Sequence, residues 1–274
     1  MSPAPRPPPS RRALPGLLAA ALLAGAAGLG LAAQQSQRGR EALAGSEAGP
    51  PRHEFHLARL IYRSGGGWRA WRDWWRIDYP EAEYHFIQGL RRLTRLDSAD
   101  DSIHLWATEE KLFEHPLLFA QQVGRWYLDD QETAALREYL LRGGFLVADD
   151  FHGNAEYQVF MEAMSRVFPD YPVIELGPDD PLLHVVYDIS RRTQIPGKRH
   201  LYRDGSGQVR VSPDGTPPMW KGILDEHGRL MVVMNFNMDM GDSWEHADDP
   251  DYPQEMTALG YRFGVNYILY AMTH

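Results

Sequence analysis

The sequence predicts an α/β domain: a mostly parallel sheet with helices on both faces and one irregular insertion. Three observations carry this. Short apolar runs alternate along the chain with stretches of helical periodicity. Two of those runs, Phe145 to Ala148 and Leu230 to Met234, are apolar at consecutive positions, as in strands covered on both faces. Both runs lead into acids, amides and histidine, and open α/β sheets bind ligands just past the carboxyl ends of their strands.

The chain begins with a segment of another kind. Ser10-Arg11-Arg12-Ala13-Leu14 precedes an apolar run from Leu17 to Ala33, and no acid interrupts Met1 to Ala33. Positive charge ahead of a short apolar run is the export-signal pattern, and the paired arginines point to its twin-arginine form. Residues 1–33 are therefore expected to be a signal peptide, or an anchor, since roughly 17 apolar residues reach the lower limit for spanning a bilayer. Residues 34–52, rich in Gly, Ala, Gln and charge, read as a linker. The domain is expected over 53–274, and localisation outside the cytoplasmic membrane follows as an expectation.

From Phe55 to Tyr62 apolar and polar residues alternate as in a half-buried strand. Gly65-Gly66-Gly67 reads as a turn. Trp68, Trp71 and Trp75 would form one stripe if helical, either packed in the core or exposed for stacking on sugar rings. Glu81 to Leu96 has the apolar spacing of an amphipathic helix, with Ala82, Phe86, Leu90 and Leu93 on one face. Ile103 to Ala107 and Pro116 to Ala120 read as strands. Asp129-Asp130-Gln131-Glu132 opens a helix with acids at the favourable end of the dipole, and Gly143-Gly144 stops it. After the strand at Phe145, helical spacing resumes from Asn154 to Phe168, and Val173 to Leu176 reads as a strand. About 178–228, rich in Pro and Gly, is expected to be the irregular insertion. Gln254 to Met272 is a closing helix.

Composition removes several functions. The net charge is −9, and loss of the first 33 residues with their three arginines would take it to −12. That balance repels nucleic acid and does not suit a polybasic membrane binder, so the expected membrane contact is limited to an N-terminal anchor. The chain has no cysteine, which rules out disulfides, thiolate metal sites and a cysteine nucleophile. No serine stands in a G-x-S-x-G elbow, and Gly65-Gly66-Gly67 lacks the Lys-Ser/Thr of a P-loop.

Several motifs resemble one known family, the domain of unknown function 4159. They are Trp75-Arg76-Ile77-Asp78-Tyr79-Pro80-Glu81-Ala82-Glu83, Gly143 to Gly153, Gln194-Ile195-Pro196-Gly197, Gly241-Asp242-Ser243-Trp244-Glu245 and Arg262 to Ile268. The resemblance implies a flavodoxin-like sheet of the class I glutamine amidotransferase-like group. It also implies envelope partners with von Willebrand A-type domains. It carries over no catalytic residue, and without the nucleophilic cysteine the standard amidotransfer route is closed.

The candidate polar cleft comprises Asp149, Asp150, His152, Asn235, Asn237, Asp239 and Asp242, with Trp244 and Glu245 at its rim. Asp150, His152 and Asp239 are the candidate ligands for a divalent cation, because two carboxylates and an imidazole suit a hard or borderline ion. The alternative is structural, with the acids capping turns and the histidine bonded to backbone. If the second strand extends to Asn237, alternation puts Asn235, Asn237 and Asp239 on one face. Trp244 either belongs to a mobile lid or pins a loop to the core. Arg262 and Lys221 are the candidate internal cations. Two functions remain open: a ligand- or partner-binding module of the cell envelope, and a metal-assisted hydrolase acting on an envelope saccharide or peptide.

Overall fold

A computed structural model of the protein describes residues 53–65, 72–189, 193–212 and 219–274. The expectations for residues 1–52, for Gly66 and Gly67, and for Trp68 and Trp71 lie outside the described residues. Those that are described belong to one compact unit, Arg52–His274.

The central sheet has seven strands in the order β3-β1-β4-β6-β11-β10-β7. They are β1 (Phe55–Ile61), β3 (Ser98–Trp106), β4 (Leu117–Ala120), β6 (Phe145–Phe151), β7 (Val173–Glu175), β10 (Met219–Leu224) and β11 (Leu230–Phe236). Neighbours from β3 to β11 pair parallel, and β10 runs antiparallel to both of its neighbours. Counting the parallel strands from β1, the order is second, first, third, fourth, fifth, that of flavodoxin-like sheets. Two small ribbons lie outside the sheet: β2 (Arg63–Ser64) with β5 (Trp126–Tyr127), and β8 (Leu201–Arg203) with β9 (Val209–Val211).

Alternation along the inner strands builds two cores. Phe145 and Val147 join Leu57, Phe119 and Val233 against α1 (Glu81–Leu93) and α5 (Gln254–Thr273). Leu146 and Ala148 join Ala58, Leu118 and Val232 against α2 (Asp130–Leu141) and α3 (Gly153–Val167). The helices start and stop where local chemistry provides. Asp129 accepts from the Glu132 amide while the Glu132 carboxylate accepts from the Asp129 amide, a complete capping box. Gly143 ends α2 at φ 111°, a left-handed conformation that a side chain would strain. No helix among the described residues is long and apolar enough to cross a membrane.

Four expectations need correction. The strand expected to end at Ala148 continues to Phe151, so Asp149 and Asp150 lie within it. The expected insertion is too long, because its last part, Met219–Leu224, is sheet strand β10, bonded on both edges. β1 is buried along most of its length, since it lies inside the sheet. The strand expected from Ile103 begins at Ser98, and its exposed acids fit an edge position.

Candidate functional site

β6 and β11 do not stay in step. Ala148 pairs with Met234 and Phe151 with Phe236, so β6 holds an extra residue opposite Asn235. Asp150 absorbs it at φ 50°. The bulge sends two consecutive aspartates in different directions.

Asp149 turns toward the α1 and α5 side. Its Oδ1 accepts from Asn235 Nδ2 at 3.1 Å, and its Oδ2 accepts from the amides of Met240 at 2.7 Å and Gly241 at 3.2 Å. These amides open α4 (Met240–Glu245). Tyr267 donates to Asn235 Oδ1 at 2.8 Å and closes the network.

Asp150 turns toward the strand ends. Gln122 Nε2 donates to its Oδ2, while Arg199 Nη2 at 3.0 Å and His152 Nε2 at 3.1 Å meet its Oδ1. The His152 side chain is 8% exposed. Its backbone amide donates to Glu156 Oε2 at 2.7 Å, its ring lies 4.5 Å from that of His200, and its buried Nδ1 has no partner.

β11 ends at Phe236, and Asn237 leaves the sheet at φ 60°, so the expected common face of Asn235, Asn237 and Asp239 does not form. Asn235 serves Asp149, whereas Asn237 Oδ1 accepts from the Gly153 amide at 2.9 Å. Asp239 caps α4 by accepting from the Asp242 amide at 2.9 Å. One ligand atom from each of Asp150, His152 and Asp239 lies within 4.8 Å of the others, and the same holds for Asp78, Asp239 and Asp242. A third group, Asp242, Glu245 and His246, continues outward.

Two further segments hold this arrangement. The Asp78 loop is anchored by Arg59, fully buried, whose Nη1 donates to the carbonyls of Trp75 and Ile77, each at 2.9 Å. Asp78 has φ 63° and accepts from Gln121 Nε2. Above the acids runs the strap Gln194 to His200. The Asp239 amide donates to Ile195 O at 3.0 Å, Tyr252 OH to Pro196 O at 2.7 Å, and the Lys198 amide to Asp242 Oδ2 at 2.6 Å. Gly197 is required there, since a Cβ would stand 2.7 Å from Asp239 Oδ2. Among the described residues, the four non-glycine residues with positive φ are Asp78, Gln122, Asp150 and Asn237. All four lie at this site, where backbone strain typically gathers.

Burial, and then the charges of Asp150 and Asp242, push Asp239 well above the usual carboxylate range. Asp78 is raised well above it by burial and by Asp242 and Asp150. Burial and Asp150 lift Asp149 to about 8 against the pull of its three donors. Glu245 rises to about 7 through burial and Asp242. Burial also works to raise Asp150, but His152, Arg199 and Gln122 outweigh it and hold the group low. Two ionised carboxylates ~5 Å apart repel by about 3 kcal/mol at an effective dielectric constant of 20. The cluster must therefore take up protons or a cation.

The structure gathers Asp150, His152, Asp239, Asp242 and Glu245 in one largely buried cluster of overlapping groups. Asp149 and Asn235 lie beneath it in a closed network, and Asn237 serves as a brace. Trp244 is not at the rim: it is 2% exposed and stacks on Phe86 at 4.0 Å, pinning α4 to the core. Arg262 and Lys221 are not the internal cations, as they pack on Tyr187 and Tyr157. Arg199 takes that place beside Asp150. Sequence reasoning also missed Asp78, Gln121 and Gln122. The two glutamines follow the apolar run of β4 just as the aspartates follow that of β6, and Asp78 stands in the Trp75 to Glu83 motif.

A family model described as a domain of unknown function (DUF4159) matches residues 56–272. No curated protein matches the chain.

Proposed function

The chain belongs to the DUF4159 family, and from that premise we propose that it is a binding module of the cell envelope. Its acidic cluster holds a divalent cation on Asp150, His152 and Asp239 and takes a polar ligand or partner there. The observation that carries this is the meeting of the three ligand atoms within 4.8 Å, beside a His152 Nδ1 that is buried without a partner. The place supports it as well, since flavodoxin-like sheets bind ligands at their strand carboxyl ends. Two carboxylates with one imidazole suit Mn²⁺ or Zn²⁺. The envelope setting rests on the export pattern of residues 1–33, and partners with von Willebrand A-type domains rest on the family resemblance.

Elemental analysis of the full chain purified from its native compartment tests the cation. A stoichiometric transition metal that His152→Ala and Asp239→Asn both remove is the expected result. Metal-free protein that also fails to bind added Mn²⁺ or Zn²⁺ overturns the reading. Cell fractionation tests the setting, and recovery in the cytosol alone would reject it.

A metal-assisted hydrolase is the second reading, favoured by Glu245. Its carboxyl, raised to about 7 by burial and Asp242, suits proton transfer near neutral pH. Turnover of an envelope saccharide or peptide that depends on Glu245 would move the assignment from binding to catalysis.

A further inference from the structure

The acids extend beyond one cation site. Asp239 belongs to two groups, one with Asp150 and His152 and one with Asp78 and Asp242, and each group brings its ligand atoms within 4.8 Å of one another. The second group is all oxygen. Among the described residues, no Lys or Arg side chain pairs with Asp78, Asp239 or Asp242; Arg199 is committed to Asp150, and the Lys198 ammonium to Asp249.

An independent sign of a ligand is Gln121. Its side chain is fully buried, and its amide nitrogen donates to Asp78 Oδ2. The oxygen of the same amide is buried with no partner. A buried amide oxygen left without a donor costs about 1–3 kcal/mol, and amide oxygens are common ligands of hard cations. Gly241 leaves the room for this amide, since a Cβ there would overlap both Gln121 and Asp78.

We propose that the acidic cluster holds two divalent cations side by side, the second on Asp78, Asp239, Asp242 and the Gln121 side-chain oxygen, with Asp239 bridging the pair. The inference rests on the cation proposed at Asp150, His152 and Asp239. Its preferred ions are hard ones such as Mn²⁺, Mg²⁺ or Ca²⁺, because every donor is oxygen. In two-metal sites a shared carboxylate holds the ions about 3.5–4 Å apart.

The test uses the full chain, stripped with a chelator and dialysed against Mn²⁺. Two ions per chain are expected, with a spin-coupled pair signal in electron paramagnetic resonance. Asp78→Asn combined with Gln121→Ala should lower the count to one and abolish the coupling. His152→Ala should also leave one ion. Should the Asp78 variant lose its cooperative melt, Asp242→Asn replaces it, with the same expected count. One ion in the unaltered chain overturns the pair and leaves the single-cation reading standing, whereas none overturns both. Two uncoupled ions, or a pair indifferent to the substitutions at Asp78, Gln121 and Asp242, also reject the bridge.

Discussion

Asp149 and Asp150 are adjacent in β6 and both buried, yet they belong to different kinds of region. Around Asp149 the donors are matched: an amide side chain, two backbone amides, and a tyrosine behind them. Around Asp150 the match is incomplete, for His152 Nδ1 and, further along the acidic cluster, Gln121 Oε1 lack partners. The inner region needs nothing more to be stable. The outer one leaves polar atoms unsatisfied, and it is there that the proposed cations would find ligands. Burial and acidity are common to both aspartates, and what differs between them is the completeness of the hydrogen bonding in their surroundings.

The largest test of the contrast is Asp149→Ala. It strands two backbone amides and Asn235 in the core, and at about 1–3 kcal/mol per orphaned group it should cost about 3–9 kcal/mol in urea unfolding. A loss below about 1 kcal/mol would mean that the inner network is dispensable. Leu146→Ala gives the apolar benchmark on the same strand. Leu146 is fully buried, so about 2–5 kcal/mol is expected, and a change under about half a kcal/mol would place β6 at an exposed edge.

Asp150→Asn should behave differently. Asparagine tolerates the left-handed backbone, so stability should stay within about 1 kcal/mol by thermal melting. Mn²⁺ affinity should fall more than about tenfold in calorimetric titration. Equal losses of stability and binding would erase the distinction between the two regions. Arg199→Gln is the mildest change. Its side chain is 45% exposed, so the ion pair should contribute no more than about 1 kcal/mol. Removing that positive charge from beside Asp150 should tighten Mn²⁺ binding about threefold or more. Weaker binding would assign Arg199 to holding the site together.

The frame of the molecule was legible because its signals are local. Consecutive apolar residues at Phe145 and Leu230 mark strands covered on both sides, and Gly143 and Asp129 mark helix ends. The site was legible only in part. A period of two assumes an unbroken strand, and the bulge at Asp150 and the early end of β11 at Phe236 break it, so Asn235 and Asn237 part company. Arg199 sits in a stretch with no periodicity, and its pairing with Asp150 spans 49 positions of chain. Strand β10 was hidden by the proline- and glycine-rich sequence before it and by Gly222, which its neighbours need small.

The acidic cluster and its supports draw on five separated stretches: Asp78, Gln121-Gln122, Asp149 to His152, Gly197 to Arg199 and Asn237 to Asp242. None of them holds a complete ligand set, so the unfolded chain would have little affinity for a ligand of the proposed site. Occupancy then acts on the entire folding equilibrium. A ligand at a hundred times its dissociation constant would add about 2.7 kcal/mol to the stability of the whole domain. Melting temperature becomes a gauge of site occupancy, and a thermal-shift screen of ions or small oxyanions can find what binds before any reaction or partner has been identified.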